Sequence, residues 1–152
     1  MRLIAIMLAV ISVAPSAKLH DVGAFAVAAS HMPVDHADLI ALAHIETGGT
    51  YRSDLTSSAG ACGVLQVMPR WSSFSCADMR QPLAGVAAGA ISWAYWSRRK
   101  GAAAARHYNA GNNPTANEQR ARRSAAYQAA FGRIRRSLLM SPRTAEGQGR
   151  RF

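Results

Sequence analysis

Apolar and polar positions alternate along this chain at helical spacing over most of its length. Positions 3–14 form an unbroken apolar and small-residue run after Met1-Arg2, too short to span a bilayer comfortably. Positions 34–46 predict an amphipathic helix: Asp35 is a good N-cap, with Asp38 three residues on, and Leu39, Leu42, Ala43 and Glu46 fall on one face. Gly48 or Gly49 supplies the left-handed stop. A Ser/Gly/Ala-rich turn then leads into an apolar, strand-like segment that ends at Pro69 and carries one amide, Gln66. Positions 70–82 read as a loop with one short helical turn. A helix is expected over 83–100, with Val86, Ala90, Trp93 and Ser97 on one stripe and Gly101 as its stop. A short helix over 102–108 runs into the turn-rich sequence from Asn109 to Pro114. The last helix covers 115–140, with Tyr127, Phe131, Ile134 and Leu138 as its apolar stripe. Its arginines, Arg120, Arg122, Arg123, Arg133, Arg135 and Arg136, lie mostly off that stripe and read as a solvated basic face. Ser141-Pro142 ends the helix, and 141–152 is expected to be a flexible basic tail.

Glu46 is the position that this pattern makes unusual. It shares an apolar face and sits at the negative end of a helix dipole, so both factors make ionisation costly. A carboxyl kept protonated near neutral pH is what general acid catalysis requires. The ordinary explanation for such a residue is a glutamate at a frayed helix end, pointing into water.

Composition narrows the setting. The chain has 152 residues, 49% hydrophobic and 17% charged, which suits one globular domain with a single core. The formal net charge is +10, and half of all the basic groups follow Glu118. Such a chain is drawn to polyanions: nucleic acid, anionic lipid or an acidic cell wall. The apolar start reads as an export segment within 1–28, cleaved after Ala17 or after Ala28, with an N-terminal core helix or an uncleaved anchor as alternatives. In an exported protein the two cysteines, Cys62 and Cys76, are expected to form a disulfide that pins the segment carrying Gln66; two buried free thiols are the alternative. No metal-ligand spacing occurs, and no metal or cofactor is expected.

Three stretches in order carry a family resemblance. Glu46-Thr47 resembles the catalytic E-S/T pair of the soluble lytic transglycosylases, relatives of goose-type lysozyme. Ser57-x-x-Gly60-Ala61-x-Gly63-x-x-Gln66-x-Met68-Pro69 resembles their S-x-x-G-A-x-G-L-M-Q-x-M-P motif, and Tyr108-Asn109-Ala110-Gly111 their A-Y-N-A-G motif. The similarity spans about 33–135, within a catalytic domain read over 33–140. The chain departs from the family pattern in two extra residues between Glu46 and Ser57, in Val64-Leu65 before Gln66, and in His107 where an alanine is more usual.

The resemblance implies a lysozyme-like α+β fold, predominantly α-helical, with a small irregular β/loop segment beside a cleft. It implies cleavage of the β-1,4 bond between N-acetylmuramic acid and N-acetylglucosamine, with Glu46 as both acid and base and 1,6-anhydromuramyl ends as product. Ser57, Gln66 and Asn109 are then expected to bind the substrate, Tyr108 to pack beside the cleft, and the Tyr127 hydroxyl to point toward Glu46. The first alternative is a hydrolytic muramidase in which Asp54 activates water. The second is an inactive peptidoglycan- or polyanion-binding module. The expected partner is the glycan strand, met by an exported monomer, periplasmic, secreted or virion-associated, serving a secretion or conjugation machine or a phage; nucleic acid is not expected.

Overall fold

Helix ends fall where local chemistry can satisfy the free backbone groups. The computed structural model describes residues 2–140. It is predominantly α-helical, with α1 (Arg2–Val13), α2 (Leu19–Ser30), α3 (His36–Glu46), α4 (Cys76–Met79), α5 (Pro82–Lys100), α6 (Ala104–Ala110) and α7 (Glu118–Met140). Asp35 caps α3 by accepting from the Ala37 N–H at 2.8 Å. Ser75 and Asp78 close a capping box on α4. Pro82 takes the first position of α5, and Gly101 ends it at φ 49°. None of the described helices is long and apolar enough to cross a membrane. The expected basic tail, 141–152, lies outside the described residues.

Among the described residues, extended pairing is limited to two isolated antiparallel bridges, Thr56 with Cys62 and Cys62 with Val67. The expected turn is present, and the strand-like reading of the apolar segment up to Pro69 gives way to further tight turns. The reason is local: Gly60, Gly63 and Gln66 all take left-handed backbone conformations, at φ 86°, 79° and 47°, and no strand survives three such reversals.

One apolar core joins elements from both ends of the chain. Ile6 and Val10 of α1 are buried in it, as are Val22, Phe25 and Ala26 of α2. The apolar start thus forms a core helix in this structure, packed on α2 and α7. Tyr51 seals the loop after α3: it is buried, its ring lies 5.1 Å from that of Phe25, and its hydroxyl donates to the Ile40 carbonyl at 3.2 Å. A cut after Ala28 would remove α2 and uncover Tyr51, whereas a cut after Ala17 leaves that pair whole.

The turn segment is held against α4 and α5 by contacts too close for a side chain. A Cβ on Gly89 would stand 2.1 Å from Leu65 Cδ1, and one on Gly63 would stand 2.2 Å from the Met79 carbonyl oxygen. The Cys62–Cys76 disulfide fastens the same segment to the start of α4. Replacing both cysteines by alanine should cost about 3 kcal/mol by the chain-entropy relation for a loop of this size. Urea denaturation with and without reductant checks this: the wild type should lose stability on reduction, and the double variant should not respond.

Candidate active site

α3 delivers Glu46 at its last position, and the turn behind it is built to keep the backbone there. Thr47 is buried; its hydroxyl donates to the Ala43 carbonyl at 2.7 Å and accepts from the Tyr51 N–H at 2.9 Å. Gly48 and Gly49 follow in left-handed conformations, at φ 59° and 80°. The loop after Glu46 is thereby a turn that ends on the Tyr51 plug.

Among the described residues the Glu46 carboxyl meets a phenol and no cation. The Tyr127 hydroxyl, from α7, donates to Glu46 Oε1 at 2.6 Å. Burial pushes the Glu46 pKa up to about 7, and the Tyr127 hydrogen bond opposes part of that rise. Burial first, and then the nearby Glu46, holds the Tyr127 and Tyr108 hydroxyls well above the usual tyrosine range. Both phenols therefore stay protonated while Glu46 titrates. With Oε1 the acceptor for Tyr127, the acidic proton is assigned to Oε2. The residue itself keeps part of its surface open.

Other carboxylates of the described chain are engaged differently. Asp35 and Asp38 bind Arg135, Asp54 binds Arg52, Glu118 binds Arg122, Asp21 lies beside His20, and Asp78 serves the α4 cap. In a chain of net charge +10, Glu46 is set apart as a half-buried carboxyl with a phenol partner, whereas Asp78, whose partners are also neutral, is exposed and serves a helix cap. Among the described residues no group of three or more His, Cys, Asp or Glu gathers as metal ligands do.

The remaining expected site residues are placed with mixed results. Tyr108 joins the site electrostatically, but its hydroxyl donates to the Leu65 carbonyl at 2.7 Å, and its ring stands edge-on to Trp93. It ties α6 to the turn segment. Gln66 spends its amide nitrogen on the Gly63 carbonyl at 2.8 Å, which braces its own left-handed turn. Ser57 Oγ accepts from the Ala61 N–H at 3.0 Å and closes the turn it begins. Asn109 is exposed near the end of α6. His107 stacks on Trp96 and bonds the Gly111 carbonyl at 2.9 Å, so the larger residue there packs the end of α6.

Two features escape a reading by residue type alone. Tyr51 looks like an ordinary loop residue, yet it is a buried plug at φ 58°. Arg135, grouped by pattern with the solvated arginines, instead reaches across to α3. A one-turn offset from the apolar stripe, eight positions after Tyr127, was the only trace of this.

The chain matches no family model, no curated protein and no solved structure.

The raised Glu46 pKa has a stability consequence of definite sign. The unfolded chain releases this proton near the ordinary value of 4.5, and the folded protein releases it near 7. Between those values the folded state holds more protons, so stability falls as pH rises through this window and levels off above it. At full effect the loss is at most roughly 3 kcal/mol. Glu46→Gln should match the wild type near pH 4 and exceed it at pH 8, read from urea midpoints across the range.

Proposed function

We propose that this protein is a peptidoglycan lytic transglycosylase with a lysozyme-like catalytic core, and that Glu46 is its single acid and base. The observation that carries the reading is the half-buried, phenol-capped carboxyl at the end of α3, with a pKa close to neutrality. The sequence motifs shared with the soluble lytic transglycosylases supply the substrate class.

The chemistry then needs only one carboxyl. Neutral Glu46 gives its Oε2 proton to the glycosidic oxygen that leaves with N-acetylglucosamine, and the C1–O4 bond breaks. The carboxylate so formed keeps the Tyr127 hydrogen bond, which steadies the new charge. The muramyl 6-hydroxyl attacks C1 from the same sugar and returns its proton to Glu46. The acid is restored, the product ends in a 1,6-anhydro ring, and no water is consumed. An intramolecular nucleophile replaces the second carboxylate of ordinary glycosidases by proximity. Ser57, whose hydroxyl proton is not needed by its own turn, and the exposed Asn109 are the polar groups assigned to the acetamido and lactyl substituents.

Asp54 is a poor second carboxylate. It is exposed, both its oxygens bind Arg52 at 2.9 and 2.8 Å, and that hydrogen bonding holds its pKa below the ordinary value. A base tied this way to a guanidinium has little affinity for a proton from water. This favours transglycosylation over hydrolysis, and the presence together of Glu46, Ser57, Gln66 and Asn109 in the chain favours an enzyme over an inactive binding module. Export to the wall compartment, with α2 kept and any cut falling after Ala17, fits both the disulfide and the core packing of Phe25 on Tyr51.

Mass spectrometry of purified sacculi digested with the full chain tests the proposal. Anhydromuramyl-ended fragments are expected, and Glu46→Gln should reduce their release on the order of a thousandfold. Fragments with reducing muramic ends would instead assign a hydrolase, and undiminished turnover by Glu46→Gln would remove Glu46 from the reaction.

A further inference from the structure

Glu46 and Tyr127 come from two helices that run antiparallel, and the same two helices are joined again at their other ends. Asp38 lies about two helical turns before Glu46, and Arg135 about two turns after Tyr127, each roughly 12 Å along its axis. Arg135 donates from Nε to Asp38 Oδ1, and from Nη2 to Asp35 Oδ2 at 3.1 Å. The second oxygen of Asp38 accepts from the Trp93 indole N–H of α5 at 3.0 Å. The Asp38 side chain is 15% exposed, so one largely shielded carboxylate meets three helices.

From this junction two lines of packed rings lead to the site. Phe131 of α7 lies between Arg135 and Tyr127 in sequence and packs on Trp93 at 5.0 Å between centroids. Trp93 also stands edge-on to Tyr108, which is bonded to the turn segment. Apolar packing alone tolerates a helix sliding along its neighbour by part of a residue. Charge-assisted hydrogen bonds with fixed directions do not, and the pairing at Glu46 needs its geometry held within about half an ångström.

We propose that Asp38 is a positioning residue for Glu46: its junction with Arg135 and Trp93 sets the register of α7 against α3 and so keeps the Tyr127 hydroxyl on the Glu46 carboxyl. The effect on catalysis rests on the function proposed above; the effect on the carboxyl itself does not.

A double-mutant cycle on the full chain separates the two. The variants are Asp38→Asn, Tyr127→Phe and both together, and the readout is the midpoint of the Glu46 carboxyl carbon by NMR in the folded protein. The ionisable groups acting on Glu46 are Tyr127 of α7 and Tyr108 of α6, and both stay neutral through the titration. Tyr127→Phe should raise the midpoint, because the lost hydrogen bond favoured the ionised form. Asp38→Asn should also raise it, by about half a unit or more, and should add nothing once Tyr127 is gone. The sign is diagnostic. Removing a distant negative charge and freeing Arg135 would by direct electrostatics lower the midpoint, so a rise reports the lost hydroxyl contact. On sacculi, Asp38→Asn should lower kcat about tenfold with KM little changed.

A purely structural Asp38 would lower the melting temperature while the Glu46 midpoint stayed fixed or fell, and that result overturns the proposal. So does a rise of equal size in the Tyr127→Phe background. If Asp38→Asn does not fold, Trp93→Phe takes its place in the cycle: a smaller rise that vanishes with Tyr127→Phe supports the proposal, and no rise overturns it. If the wild type cuts no peptidoglycan, the proposed function fails and the titration still decides the role of Asp38.

Discussion

The central constraint is a half-buried carboxyl at the carbonyl end of a helix whose hydrogen-bond partner, among the described residues, is a phenol. Placing a charge there is unfavourable on two counts, desolvation and the helix dipole, so the proton stays on until the pH nears neutrality. The Tyr127 hydrogen bond at 2.6 Å moderates the penalty without removing it. A cation in that place would have ionised Glu46 and left it a base from the start. The neutral phenol keeps an acid that can part with its proton and then carry the charge.

This constraint explains why the surrounding structure is so tightly tied. Tyr127 lies far from Glu46 in sequence, so the hydrogen bond exists only if α3 and α7 pack in one register. The turn segment that carries Gln66 presses on Met79 of α4 at Gly63 and on α5 at Gly89, where no Cβ fits, and is bound at Cys62 to Cys76. Tyr108 then reaches that segment through the Leu65 carbonyl. Each side of the site is thus fixed to a helix of the core, and little of it depends on free loop conformation. The glutamine and serine of the central motif serve first as internal braces of their own turns, and rigidity there is a condition for any binding role.

Much of this was legible from local pattern. The helix ending at Glu46, its Asp35 cap, the glycine stop and the α7 stripe follow from short-range rules of spacing and capping, and the cysteine pairing from an even count in a chain read as exported. The turn segment did not, because an apolar run such as Val64-Leu65 reads as a strand unless the backbone signs at Gly63 and Gln66 are known. Arg135 and Asp38 were hidden for a different reason. A charged residue on a helix surface looks the same in sequence whether it faces water or a partner a hundred positions away. Tyr51 was hidden likewise, since only tertiary packing turns a loop tyrosine into a plug against Phe25.

Proton donation at this site depends on the protonation state of one side chain, and that can be measured without substrate. Titration of the Glu46 carboxyl carbon by NMR in the folded wild-type protein should give a midpoint near 7, well separated from the other carboxylates. A midpoint close to 4.5, the ordinary value for a solvated glutamate, would mean that the carboxyl is open to water and charged at neutral pH, and the proton donor described here would not exist.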